Sequence, residues 1–591
     1  MKKITVTLCA TLSLLTPFLG ATTTVIGPGQ TETNTVTVAN AGDELIIEEG
    51  GAVTTTNEDA VSMNADNQKT TNDGAISTTG ASARGILNNG GSNAVITNSG
   101  SISTTGSGAS GILTIVGDNV VITNSGSIST TESNAYGIVN DSGAFAVITN
   151  SGSISTTNLT AHGIVNDGDN VVITNSGSIS TTESNAYGIF INFNSDNAHV
   201  INSGTIYSAL SNALDFQGST PTLTLLRGSN IQGPVKVSNS AASLALNVEK
   251  GLNLALTLTG NNFGTLGISL PFVQVGSTIA TVDPTGLAMQ ADVAADLSDT
   301  ILDGIYRHRL SCCTPCDCGV WAQAIGSYRK RSEGHDIVGF DNWQGGFLVG
   351  YERLICEGRA SLFGGATFGK AEVDETTARA DINSYVGGLS YETCFCNSFL
   401  GLAIVAGYVD WDNERFIMNN QVAGGIDKAH ADIDGFFITP EATLAHQFAS
   451  LWCHPSLSFT LRYAGLFLGD YNEKGSQTNF SAKDRDIGLI TTRLEAAVPY
   501  SRECGICCWS LEPYIGGFGR YQVNGNRIKG ELLAQPLNFD QGGAKNLAAL
   551  LIGFRGIQSY GCLNLSLNVE ASFDTGCSSR ILGEGGLGWN F

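Results

Sequence analysis

The segment Ile122-Thr123-Asn124-Ser125-Gly126-Ser127-Ile128-Ser129-Thr130-Thr131 decides the fold of the front of this chain. The same run begins again at Ile96, Ile148 and Ile173, and degenerate copies start at Asn72 and Ile201. Aligned on Asn72, Asn98, Asn124, Asn150, Asn175 and Asn202, the copies are spaced 26, 26, 26, 25 and 27 residues apart. A second marker keeps the same beat: Gly85-Ile86, Gly111-Ile112, Gly137-Ile138, Gly163-Ile164 and Gly188-Ile189. A fixed period of this length means stacked repeats that each contact only their neighbours. Each rung reads as two or three short strands (VIT, SIS, and GIV or GIL) separated by Asn-Ser-Gly or Asn-Asp-Gly corners, where Gly and Asn tolerate φ > 0. The lone Ile and Val of each strand are expected to stack into a narrow core, and the aligned Asn residues to form amide ladders. A β-helix or similar solenoid over 22–218 is the economical reading.

Upstream, Lys2 and Lys3, an apolar run from Ile4 to Phe18 and Leu19-Gly20-Ala21 read as a secretory signal, 1–21. Cys9 lies inside the apolar run, too early to be an acylation site. No later stretch approaches the ~20 unbroken apolar residues of a spanning helix, so membrane residence would require a barrel. The net charge of −23 argues against a nucleic-acid partner or an anionic surface as ligand. The repeat offers no catalytic cluster. His162 and His199 stand at unrelated places, and Asp141, Asp167 and Asp169 fall at corners, where a solvated turn is the ordinary role. Asn166-Asp167-Gly168-Asp169-Asn170 is a single acidic corner with the wrong spacing for a calcium array. Neither enzymatic activity nor a metal or cofactor is expected.

Downstream of Pro221 the repeat gives way to period-two alternation (Leu223, Leu225; Val235, Val237; Leu244, Leu246, Val248; Leu252 to Leu258), read as a β-rich cap or junction over 219–283. Asp283-Pro284 then opens the best helical segment, 284–310, with Asp283 as N-cap and Pro284 at the first helical position. Asp292, Asp296, Asp299 and Asp303 fall on one helical face, and Val293, Leu297, Ile301 and Ile305 on another. A helix of this kind placed directly before a barrel is expected to thread its lumen, carboxylates toward basic side chains.

From Gly319 to Phe591 twelve strands are predicted by alternation: 319–331, 345–355, 359–370, 382–393, 398–410, 434–448, 455–468, 487–500, 509–523, 547–560, 562–573 and 581–591. Short connections alternate with longer, more polar ones at 332–344, 371–381, 411–433, 469–486, 524–546 and 574–580, the pattern by which outer-membrane barrels mark their two sides. Trp321, Tyr351, Tyr408, Trp411, Trp452 and Trp509 are expected in interfacial girdles. Leu587, Trp589 and Phe591 end the chain in alternating apolar residues with a terminal aromatic.

Signal, solenoid, cap, helix, barrel and terminal Phe591 together resemble the autotransporter family of the type V secretion route. That resemblance implies a barrel that inserts in the outer membrane, exports its own N-terminal passenger and displays it on the cell surface. It also implies that Leu587, Trp589 and Phe591 are the signal read by the barrel-assembly machinery. Many members carry an Asn-Asn pair in the lumen helix where the passenger is cut free. None occurs between Pro284 and Arg309, so an attached passenger is expected. The passenger is expected to act as an adhesin-like or surface-coat element with an unidentified surface ligand. The alternative is a disulfide-linked structural outer-membrane protein or porin with a passive passenger.

Of the 14 Cys, none lies between Cys9 and Cys312. Cys312, Cys313, Cys316 and Cys318 precede the first barrel strand. Cys356, Cys394, Cys396, Cys453, Cys504, Cys507, Cys508 and Cys562 fall in or beside short turns, and Cys577 alone on the long-loop side. A zinc site and a redox motif are weighed against structural disulfides, within the barrel or to neighbouring cysteine-rich envelope proteins, and an oxidising compartment favours the last. Cysteine-rich autotransporters occur among the polymorphic membrane proteins. The passenger lacks the recurrent Phe-x-x-Asn motif of that family, so the similarity is distant.

Overall fold

The computed structural model describes residues 21–238, 242–305, 318–334, 336–448, 454–504 and 507–591, and of 376, 502–504 and 507–508 the backbone alone. The signal segment up to Gly20, Cys312, Cys313, Cys316, Trp452 and Cys453, the end of the expected helix at 306–310 and the side chains of Cys504, Cys507 and Cys508 lie outside the described residues. The chain forms two compact units, one up to Val200 together with Tyr207–Ser219, the other Ile201–Ile206 together with Thr220–Phe591.

The first unit is the parallel solenoid. Each full rung carries three short strands, as in Val121–Asn124, Ser127–Thr130 and Ile138–Asp141. Each strand pairs in register with its copy one rung away, so that Ile122 lies beside Ile96 and Ile148, and Ile128 beside Ile102 and Ile154. Alternation turns Ile122, Ile128 and Ile138 inward, each at most 1 % exposed. At ~1.5–3 kcal/mol per buried aliphatic side chain, this stack is the main stabilising contribution of the rung.

The interior also holds polar groups, and the period satisfies them. Asn98 Nδ2 donates to Asn124 Oδ1 at 2.7 Å, Asn124 to Asn150 at 2.7 Å and Asn150 to Asn175 at 2.7 Å, a buried amide ladder along the stack. Thr130 Oγ1 donates to the Ala135 carbonyl at 2.6 Å and closes the corner. Asn119 and Asn170 take φ of 55° and 54° at the corners. Gly137 is required by close approach, because a Cβ there would lie 2.4 Å from the Gly163 carbonyl oxygen and from Ile154 Cγ2.

In the second unit, parallel pairing continues beyond the recognisable repeat: Thr222–Leu225 with Leu244–Val248, that strand with Phe263–Ile268, and Val235–Val237 with Leu254–Gly260. A hairpin, Phe272–Val275 and Thr278–Thr281, follows. Asn253 Nδ2 donates to the Thr377 carbonyl at 3.2 Å, and Asn420 Nδ2 to the Thr257 carbonyl at 3.0 Å. Helix α1 spans Thr285–Ile305.

Twelve antiparallel barrel strands are described: β1 Cys318–Arg331, β2 Phe340–Ile355, β3 Gly358–Val373, β4 Ala378–Phe395, β5 Ser398–Asn419, β6 Ile426–Gln447, β7 Ser456–Leu468, β8 Arg485–Ala497 (continued by Tyr500–Cys504), β9 Cys507–Asn524, β10 Asn546–Tyr560, β11 Leu563–Asp574 and β12 Ser578–Asn590. The barrel closes by β1 pairing β12, Val320 opposite Trp589.

The parity of the connections is as expected, but several are shorter. The stretch expected as a loop at 411–433 is mostly strand, because β5 and β6 run on as a paired ribbon (Asp412 opposite Asp432) to a turn at 420–425. The connections at 469–484 and 525–545 carry their own four-stranded sheet, built from Tyr471–Asn472, Phe480–Ala482, Arg527–Leu532 and Gln535–Asp540.

The girdle expectation needs correcting at two residues. Trp321 and Trp411 face inward, 8 % and 1 % exposed, because they sit on the opposite parity from the lipid-facing residues of their strands. Tyr351, Tyr408 and Trp509 do face outward, joined by Tyr385, Phe436 and Trp589.

Candidate functional site: the barrel lumen

Alternation along a barrel strand sends every second side chain inward, and here the inward positions of β1, β7, β8, β9 and β12 are rich in arginine: Arg329 and Arg331, Arg462, Arg493, Arg520 and Arg580, all buried. The four aspartates of α1 meet them one after another. Asp292 Oδ2 lies 2.5 Å from Arg331 Nη1. Asp296 accepts from Arg329 Nη2 at 2.7 Å and Nε at 2.9 Å, and from Asn342 Nδ2 at 2.8 Å. Asp299 is shared by Arg462 at 2.5 Å, Arg520 at 2.8 Å and Arg580. Asp303 takes Arg462 at 2.7 Å and Arg493 at 3.1 Å.

The arginines are themselves spanned by wall carboxylates: Arg329 also reaches Asp574 at 3.2 Å, Arg462 reaches Glu441, and Arg493 reaches Glu495 and Glu570. Contacts to uncharged helix groups complete the ring around the helix. Ser298 Oγ is 2.7 Å from Thr439 Oγ1 on β6, Thr300 donates to Ser327 Oγ at 3.0 Å on β1, and Arg485 of β8 donates to the Leu287 carbonyl at 2.7 Å.

The opposite helix face is apolar, and so is the wall it meets. Val293, Ala294 and Leu297 belong to one buried cluster with Ile382, Val409, Trp411 and Phe437 of β4, β5 and β6. Contacts from β1, β2, β6, β7, β8, β9 and β12 surround the helix, which therefore lies in the lumen. At the short-turn end a cavity of about 330 Å³ remains, lined by residues including Phe399, His446, Ser458, Glu512 and Arg555.

The sequence pointed to the four aspartates and to basic partners without naming these. The signal was available, since Arg329, Arg331, Arg462, Arg493, Arg520 and Arg580 share the inward parity of their strands. A second feature escaped the sequence reading. In the column one residue before each Gly-Ile pair, Tyr136, His162 and Tyr187 stack with centroids 5.2 and 4.8 Å apart and planes within 6°. His162 Nδ1 accepts the Tyr187 N–H at 2.9 Å, and burial pulls its pKa down to about 4.

Cys318, Cys356, Cys396 and Cys562 carry free thiols at the short-turn end, where Cys394 also lies, and Cys577 carries one at the other end. Among the described residues these thiols are not joined to one another. The Cys318 thiol instead donates to the Phe591 carbonyl at 3.1 Å, and the Phe591 N–H donates to the Cys318 carbonyl at 2.9 Å. Leu587, Trp589 and Phe591 all project outward, 53 %, 54 % and 59 % exposed.

A family model described as the autotransporter beta-domain matches residues 320–550. Among solved structures, the translocator domain of the autotransporter NalP from Neisseria meningitidis matches at 15 % identity and TM-score 0.40, covering 52 % of this chain and 97 % of that one. The β domain of the Bordetella autotransporter BrkA matches at 14 % identity and TM-score 0.35, covering 46 % and 100 %. The transport unit of AIDA-I from Escherichia coli matches at 12 % identity and TM-score 0.34, covering 52 % and 99 %. No curated protein matches the sequence.

Proposed function

We propose, from the autotransporter β-domain that this chain carries in the outer membrane, that the exported solenoid serves on the cell surface as a non-enzymatic, adhesin-like rod. The barrel secretes a passenger across the outer membrane. The finer reading, surface display for adhesion, is carried by one observation on the solenoid corners. The column held by Asn67, Asn93, Asn119 and Asn170 in the left-handed region is occupied at its fourth rung by Phe145, φ 57° and 57 % exposed. Val116, on the same side of the preceding rung, also has φ 57° and is 64 % exposed. Large apolar side chains in that conformation strain the backbone, and they gain nothing by it in water. A surface contact is the use that suits them.

The contact is expected to be uncharged or basic in its partner, since residues 22–219 hold 17 Asp and Glu against two Lys and Arg. Leu587, Trp589 and Phe591 would engage the barrel-assembly machinery during insertion. The helix-filled lumen suits a plugged barrel better than a conducting porin.

Two measurements on intact cells test this reading. Protease should remove an epitope tag placed at the Gly168 corner and spare one in the Cys504–Cys508 turn. The double substitution Val116→Asn and Phe145→Asn should then lower adhesion to a host-derived surface with export unchanged. Protection of both tags, or unchanged adhesion, would sink the proposal. The exposed thiols of Cys356, Cys396 and Cys562 favour a second role as attachment points to cysteine-rich envelope proteins. Non-reducing electrophoresis of whole envelopes should then show reductant-sensitive adducts that disappear when the three are changed to Ser.

A further inference from the structure

On the outer wall of the barrel, between β2 and β6, the apolar surface is indented by a groove of about 690 Å³. Its position follows from register. Tyr351, Leu362, Leu389, Ile404 and Pro440 stand opposite one another in one row across five strands, and Arg353, Ala360, Tyr391, Leu402 and Ala442 in the next row toward the short turns. Ala360 is small between the long side chains of Arg353 and Tyr391, and this leaves the gap. Tyr391 is held upright by donating its hydroxyl to the Cys356 carbonyl at 3.1 Å. It passes over Gly358, where an added Cβ would lie 2.4 Å from the phenol oxygen.

Arg353 is unusual on this wall. The other Lys and Arg whose described side chains face outward on the barrel strands, Lys330, Lys370, Arg379 and Lys428, stand at the long-connection end. Among the described side chains, Arg353 is the one Lys or Arg that faces outward near the short-turn end, two residues from the end of β2, and it makes no ion pair among the described residues. At that depth a guanidinium reaches lipid headgroups, and its attraction to an anionic headgroup is worth about 1 kcal/mol, or roughly fivefold in binding.

We propose that this groove seats one anionic glycerophospholipid of the inner leaflet, its phosphate on Arg353 and an acyl chain laid along Leu362, Leu389 and Ile404. The inference rests on the outer-membrane reading, and retained heat-modifiable migration of the folded barrel separates failure of the one from failure of the other. The test uses the full chain in detergent, titrated with phosphatidylglycerol or phosphatidylcholine of identical chains and read by native mass spectrometry.

The unsubstituted protein should retain a single phosphatidylglycerol with roughly fivefold preference over phosphatidylcholine. Arg353→Gln should abolish the preference while keeping chain binding, Arg353→Lys should preserve it, and Ala360→Trp should lose both lipids. Several weakly held lipids without preference, or an unaltered preference in Arg353→Gln, would overturn the proposal. Should Ala360→Trp fail to fold, the Gln and Lys pair decides alone.

Discussion

The solenoid and the barrel are both β-structures with period-two strands, yet each has its polarity reversed relative to the other. In the solenoid, Ile122, Ile128 and Ile138 point inward and the only buried polar side chains of the ladder are neutral, with Asn98, Asn124 and Asn150 joined end to end. In the barrel, Leu550, Ile552 and Leu587 point outward, 74 %, 59 % and 53 % exposed, while Arg329, Asp296, Arg462 and Asp299 fill the interior. The difference shows what sets the inside of a β-structure. A rung closes a space only a few side chains wide, where apolar contact and neutral hydrogen bonds suffice. A twelve-stranded wall encloses room for a whole helix, and its outside must satisfy lipid.

The comparison can be broken first at Asp299. Asp299→Ala removes the carboxylate shared by Arg462, Arg520 and Arg580 and leaves buried charge uncompensated, at a cost of about 3–5 kcal/mol. Thermal melting of the barrel in detergent should fall accordingly, and an unchanged melt would mean that these ion pairs do not hold the helix. Next, Leu567→Arg, midway along the lipid wall, should cost ~2–4 kcal/mol in the same assay. Leu159→Arg on the solenoid should stay within ~0.5 kcal/mol, although Leu159 is also exposed. Equal effects would erase the distinction between the two outsides.

The third expectation concerns pH. His162 has a folded-state pKa of about 4, below its unfolded value of 6.5, so the unfolded chain takes up the proton first. Its contribution is fully present above pH 6.5, is lost as pH falls toward 4, and changes no further below; the whole loss is on the order of 3 kcal/mol. Acid unfolding followed by circular dichroism should show it. His162→Tyr, which continues the ring column, should flatten that part of the profile. The smallest of the destabilising changes is expected at Asn124→Ala. It interrupts the amide ladder and leaves neighbouring amides unpaired, for ~1–3 kcal/mol in a denaturant titration.

Much of this architecture was legible because period is a property of the chain. The 26-residue beat locates the rungs, the inward Ile and the Asn ladder, since a stacked repeat must place equal positions together. The helix and its acidic face, Asp292 to Asp303, were legible for the same reason. Trp321 and Trp411 were misplaced because residue type was weighed above parity, and an aromatic suits either wall of a barrel. The length of β5 and β6 was underestimated because Asp412 and Asp432 look like loop residues. They are strand residues carried past the aromatic row of Tyr385, Tyr408 and Phe436, where period-two pairing continues with polar residues outward and Ala429, Ala431 and Ile433 buried inward.

The sequence by itself determined the repeat, the inward and outward faces of most strands and the acidic face of the helix, because each is periodic along one segment. Only the tertiary structure decided which arginine meets which aspartate, that three rings stack around His162, and that Arg353 borders a groove on the lipid side. Those contacts join residues far apart in the chain, and they come from register and closure, which no single segment carries.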